Sequence, residues 1–189
     1  MKNLPNQFFY SKEEDRLNVI SHGIGFILSI IGLIFLLNKG LQDFNLLRFL
    51  SFLIYGISLS TMYIASTLYH NSKTPEGRYK FRLFDMVSIY LLIAGSYTPF
   101  TLTVLIDSGG LTLFLLVWVI AFIGIIWKIF TVGSYNISST LLYIFMGGLW
   151  LFFIDAFINE IPQNALIWIY ASASTYLICL LYTSPSPRD

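Results

Sequence analysis

An all-α bundle of six membrane-spanning helices is the fold class this sequence predicts, on three observations. The first is composition: 56% of the 189 residues are hydrophobic and only 11% are charged, against about 25% charged in an ordinary soluble domain. The second is a mean hydropathy of +0.72. The third is clustering. The charges leave six uncharged runs, each reaching the ~20 residues that a helix needs to cross ~30 Å of hydrocarbon. Apolar and polar residues do not alternate, which excludes a strand barrel. So few charges exclude a soluble enzyme, a nucleic-acid binder and a disordered chain. The net charge of +1 offers nothing to a polyanion. A single Cys excludes a disulfide framework or a thiolate metal cage.

The elements follow in order. The first helix is expected near 19–37, where Ser21, Gly25 and Ser29 recur every four residues as a small face for helix packing. The second is expected near 49–70. The third, near 85–105, carries Ala94-Gly95-Ser96, a further small-residue patch, and Pro99, which should kink it or end its regular part. The fourth lies near 111–130. The fifth, near 139–158, contains Gly147-Gly148, read as another packing patch. The sixth lies near 164–178, its apolar run continuing to 181. Residues 1–16 do not form a signal peptide: their apolar pieces are short, and the acidic run Glu13-Glu14-Asp15 precedes the first span.

Orientation follows from Lys and Arg. With loops numbered alternately, eight of them fall on the N-terminal side, including four in the stretch 71–82, and only Lys39 and Arg48 fall on the other. The positive-inside rule makes the N-terminus cytoplasmic. A multi-pass position in a plasma membrane is expected.

Polar groups inside the membrane are costly and are functional candidates by default. The topology assigns them depths. The first helix starts at the cytoplasmic face, the second ends there and the third starts there, so His22, His70 and Asp85 share one layer. Ser66 lies one turn from His70 on the same helix face, about 6 Å away. Histidine is the commonest metal ligand, and a carboxylate can orient a ligand or a bound water. Each residue also has a plain structural explanation. Headgroup water can hydrate a His or Asp at a helix end, a helix start favours a carboxylate, and Ser packs well. Catalytic zinc normally takes three protein ligands, and this chain has only two His.

Other polar and aromatic residues read as structural. Trp127 suits an interfacial belt, while Trp118 and Trp150 fall mid-span as packing residues. Asp155 is expected to reach the external surface. No phosphate-binding Gly loop, nucleophile elbow or HExxH motif is present. No internal repeat is visible either, which weakens a transporter reading.

Four motifs carry a family likeness. Glu13-Glu14 with Asn18-Val19-Ile20-Ser21-His22-Gly23-Ile24-Gly25 resembles the opening of the bacterial hemolysin III family, relatives of the progestin and adipoQ receptors that include the adiponectin receptors. Ser66-Thr67-Leu68-Tyr69-His70 is similar to the family's Ser-x-x-x-His motif. Phe84-Asp85, followed by Ile89 through Phe100, resembles its third-helix signature, and the Tyr143–Gly147 pattern its fifth helix. The likeness runs over about residues 13–178.

The resemblance implies a seven-helix fold, of which six spans are present, and a zinc site. Of the family's three zinc-binding His, only His70 carries over, because the His-x-x-x-His of the seventh helix is absent. By the same resemblance Asp85 would hold the zinc-bound water and Ser66 would support it. His22 stands as a further candidate at that depth. Met86 replaces a His that often follows the Asp in the family.

Residues 179–189 look like the in-frame translation of a sequencing-library adapter, so a non-native tail is expected after about Ile178. The alternative is a short polar tail on a genuine six-span protein. The leading expectation for function is a zinc-dependent hydrolase of a lipid amide or ester at the cytoplasmic leaflet, inactive in this chain because the ligand set is incomplete. Behind it stand a membrane-homeostasis sensor or receptor with a structural metal, and a lytic, pore-type protein. Membrane lipid is the expected partner, and a homo-oligomer stays open.

Overall fold

The computed structural model describes residues 10–42, 44–131 and 137–183. Among them the chain is all-helical, in the order α1 (Lys12–Leu41), α2 (Leu46–Asn71), α3 (Pro75–Pro99), α4 (Leu111–Thr131), α5 (Ile137–Gly147), α6 (Ile154–Glu160) and α7 (Gln163–Thr183). Two π-helical turns, Phe100–Val104 and Ile106–Gly110, join α3 to α4, and a 3₁₀ turn, Leu149–Phe153, joins α5 to α6. Five helical stretches are long and apolar enough to cross a membrane, the fifth running from Ser138 to Glu160 through the 3₁₀ turn. The chain is a polytopic helical protein, as its composition predicts.

Two helices extend beyond the uncharged runs. α1 starts at Lys12 because Ser11 and Glu14 form a capping box: the Ser11 hydroxyl accepts from the Glu14 N–H, and the Glu14 carboxylate accepts from the Ser11 N–H. α3 starts at Pro75, where Thr74 caps the Gly77 N–H and proline suits the first helical turn. The four cations of 71–82 therefore do not sit in a loop. Only Lys73 does, while Arg78, Lys80 and Arg82 stand on the first turns of α3. A charge-free criterion misses this because a helix leaves the hydrocarbon long before it must end.

α1, α2 and α3 pack as successive neighbours through small residues. A side chain at Gly25 would meet the Tyr63 ring at 2.5 Å, one at Gly56 would meet Leu33 at 2.4 Å, and one at Gly95 would meet Ser58 at 2.5 Å. Ser29 bonds Ser60 at 2.9 Å across the seam. Of the expected Ser21–Gly25–Ser29 face, Ser21 is exposed and bonds its own helix at Asn18. A strict four-residue step drifts round a 3.6-residue helix, so the seam runs instead through 18, 22, 25 and 29.

The apolar core lies deeper, where Tyr90, Ala94 and Tyr97 of α3 meet Leu113, Val117 and Ala121 of α4 and Met146, Leu149 and Phe157 of the fifth span. Regular α-helix ends at Pro99, as its missing N–H requires. Gly147-Gly148 marks a break rather than a packing face. There the Tyr97 hydroxyl lies 3.0 Å from the Met146 carbonyl and 2.9 Å from that of Gly147, and it accepts from the Trp150 N–H at 3.3 Å. In lipid such a break needs a neighbour to satisfy the released backbone groups, and Tyr97 serves both signs. Trp118 packs within the bundle, its indole N–H donating to Thr98 at 3.1 Å, and Trp150 stacks against Phe157 and Tyr170. Residues 184–189 of the expected tail lie outside the described residues, while 179–183 continue α7.

Candidate functional site

The start of α1, the end of α2 and the start of α3 meet at one end of the bundle. Helical spacing places Asp15, Asn18 and His22 on the α1 face toward α2. The Asp15 carboxylate accepts from His70 Nδ1 at 2.9 Å and from Arg78 at 2.7 Å. The Asn18 amide lies 3.4 Å from the same His70 nitrogen. The Arg78 side chain is 0% exposed. It also donates to the carbonyls of Tyr69 and His70, both at 3.1 Å, and lies over the Tyr69 ring with its Cζ 4.6 Å from the centroid. These carbonyls belong to the last turn of α2, where a helix leaves its acceptors unpaired and a cation is favoured.

His70 and His22 come together as expected, but as stacked rings, with centroids 6.0 Å apart and planes at 6°. Asp85 is not the carboxylate that His70 meets. It stands further along α3, within hydrogen-bonding reach of Ser66 and in the field of Arg82. The four predicted residues thus divide into a His22–His70 pair and a Ser66–Asp85 pair, one turn apart along α2. Asp15 and Arg78 join them as groups that the sequence reading left among loop charges.

With a carboxylate on Nδ1, the proton of a neutral His70 sits there and Nε2 keeps its lone pair. This is the arrangement that metal-bound histidines use, with an outer carboxylate fixing the ring. The donor set otherwise fits zinc poorly. A metal lies near the plane of each imidazole it binds, and two stacked rings share no such point. Among the described residues no three His, Cys, Asp or Glu side chains are placed to hold one ion. The described residues supply one oriented imidazole and no complete metal site.

The family model for haemolysin-III-related proteins matches residues 10–189, a span that takes in α1 to α7 and the charged node. The chain belongs to the hemolysin III family. Hemolysin-3 of Bacillus cereus is 36% identical over 170 residues, covering 90% of this chain and 78% of that protein. The hemolysin-3 homolog of Bacillus subtilis (strain 168) is 39% identical over 140 residues, covering 74% of this chain and 66% of that protein. No solved structure matches. With its apolar helices, this hemolysin III chain is a multi-pass membrane protein. Both helices of the Asp15–His70 contact lie inside the matched span.

Proposed function

We propose that this hemolysin III chain contributes to a lipid-hydrolysing site at the cytoplasmic leaflet, acting on an amide or ester, with zinc as its cofactor. The orientation of His70 by Asp15 carries this reading, because a carboxylate on Nδ1 fixes the ring as outer carboxylates fix metal-bound histidines. Zinc, when bound, supplies a water that ionises near neutral pH. His70 would be one of its ligands. Asp85, within reach of Ser66, would hold a water or accept a proton, and Ser66 would position that carboxyl.

The test compares the complete gene product with His70→Ala and Asp85→Asn, measuring zinc content and release of fatty acid from labelled lipid. His70→Ala should lower both. Asp85→Asn should keep zinc and fold while turnover falls by about a hundredfold or more. Unchanged stoichiometric zinc in His70→Ala would remove His70 from the site.

The complete burial of Arg78 favours a second reading. A guanidinium that ties Asp15 to the end of α2 is a pin for three helices, as a sensor with a structural metal requires. That reading expects loss of thermal stability on ligand replacement and no lipid turnover at all. The lytic reading rests on the names of the Bacillus relatives. It predicts dye leakage from liposomes that His70→Ala leaves unchanged.

A further inference from the structure

Lys128 lies one turn before the end of α4, where a lysine ordinarily extends its ammonium to the headgroup water. Its neighbours Trp127 and Ile129 face outward, but Lys128 is only 2% exposed. Its Nζ turns toward the start of α5 and meets Ser139 at a long 3.4 Å. An ammonium has three N–H donors, and among the described residues only Ser139 accepts from it. None of the ion pairs among the described residues involves Lys128. The charge that acts on it there, Arg82, is also positive.

A second buried group faces the same place. Tyr90 of α3 lies flat on Gly124, one turn before Lys128, so closely that a Cβ on Gly124 would meet its ring at 2.3 Å. Its hydroxyl is fully buried and makes no hydrogen bond of ordinary geometry, although Ser139 and Tyr143 stand beside it. Ser139 of α5 stands within reach of both groups. Side-chain donors from α3, α4 and α5 therefore converge, one of them a cation, and none of the ion pairs among the described residues gives Lys128 a carboxylate.

We propose that this node between α3, α4 and α5 binds an anionic phosphate, with Lys128 as its counter-charge and Ser139 and Tyr90 as neutral donors. A buried cation is costly without an anion, and basic pockets between spans at the positive end of a membrane protein suit phosphate headgroups. The site is independent of the hydrolase reading, since it uses neither His70 nor Asp85.

The test uses the complete gene product, delipidated in an uncharged detergent. Its unfolding midpoint is followed against phosphatidylglycerol, phosphatidylcholine and inorganic phosphate in separate titrations. Saturable stabilisation by phosphatidylglycerol alone assigns a lipid headgroup. Stabilisation by inorganic phosphate as well assigns a free-anion site. In either case Lys128→Met should weaken the apparent affinity at least tenfold, Ser139→Ala by severalfold, and Lys128→Arg should retain binding. The proposal is overturned if no titrant shifts the midpoint. It is equally overturned if Lys128→Met and Ser139→Ala respond as the native protein does, or if Lys128→Met simply stabilises the protein without altering lipid dependence. Should Lys128→Met fail to fold, Ser139→Ala and Lys128→Arg decide alone.

Discussion

The Tyr97 hydroxyl lies 2.9 Å from the Gly147 carbonyl, inside the break of the fifth span. One phenol on α3 thus supports backbone groups that α5 can no longer pair. Tyr97→Phe removes that support and little volume. It should lower stability by about 1–3 kcal/mol, the cost of leaving buried polar groups unsatisfied. Equilibrium unfolding in mixed micelles measures it. A loss below about 0.5 kcal/mol would mean that water takes over the role.

Asp15 holds one arginine and one histidine, so Asp15→Asn should strand a buried guanidinium. Breaking a buried pair from one side costs about 3–5 kcal/mol. Combining Asp15→Asn with Arg78→Met should recover part of that loss, because the stranded charge is gone. Additive losses in the double-mutant cycle would show that Asp15 and Arg78 are not coupled.

The same substitution has a chemical readout. If His70 binds zinc, loss of its outer carboxylate should weaken zinc affinity by about 10–100-fold. His22→Ala removes a stacked ring with no shared metal position, and affinity should stay within about twofold. Competition with a chelator gives both values, and a greater loss in His22→Ala than in Asp15→Asn would reverse the assignment.

Glycines separate into two kinds. At Gly110 a Cβ would meet the backbone oxygens of Thr101 and Leu105 at 2.2 and 2.4 Å. Backbone cannot step aside as a side chain can, so Gly110→Ala should destabilise by about 1–3 kcal/mol or more. At Gly23 nothing lies within 4 Å, and Gly23→Ala should be neutral or gain up to about 1 kcal/mol from helix propensity. Thermal midpoints of the two variants check the contrast.

Hydropathy and charge spacing made the spans legible, because an apolar run of that length has few other uses. They placed His22 and His70 at one end for the same reason. Asp15 was hidden because it was read in a charged segment ahead of the first span. Its clue was the Ser11–Glu14 capping box, which starts the helix early and puts Asp15, Asn18 and His22 on one face. Arg78 was hidden by the assumption that a basic cluster is a solvated loop, although Thr74-Pro75 is itself a helix-start signal. The role of Tyr97 could not be read at all. It depends on which face of α3 meets a distant glycine pair, and spacing along one chain does not encode that contact.

The charged node is assembled from residues 15 to 78, a stretch completed early in synthesis. Three consecutive helices close it, so Arg78 can find Asp15 and the end of α2 as soon as α3 enters the bilayer. A buried guanidinium is costly to leave unpaired. Here its acceptors are already in place when it arrives, and the later helices can be added to a membrane-stable trio.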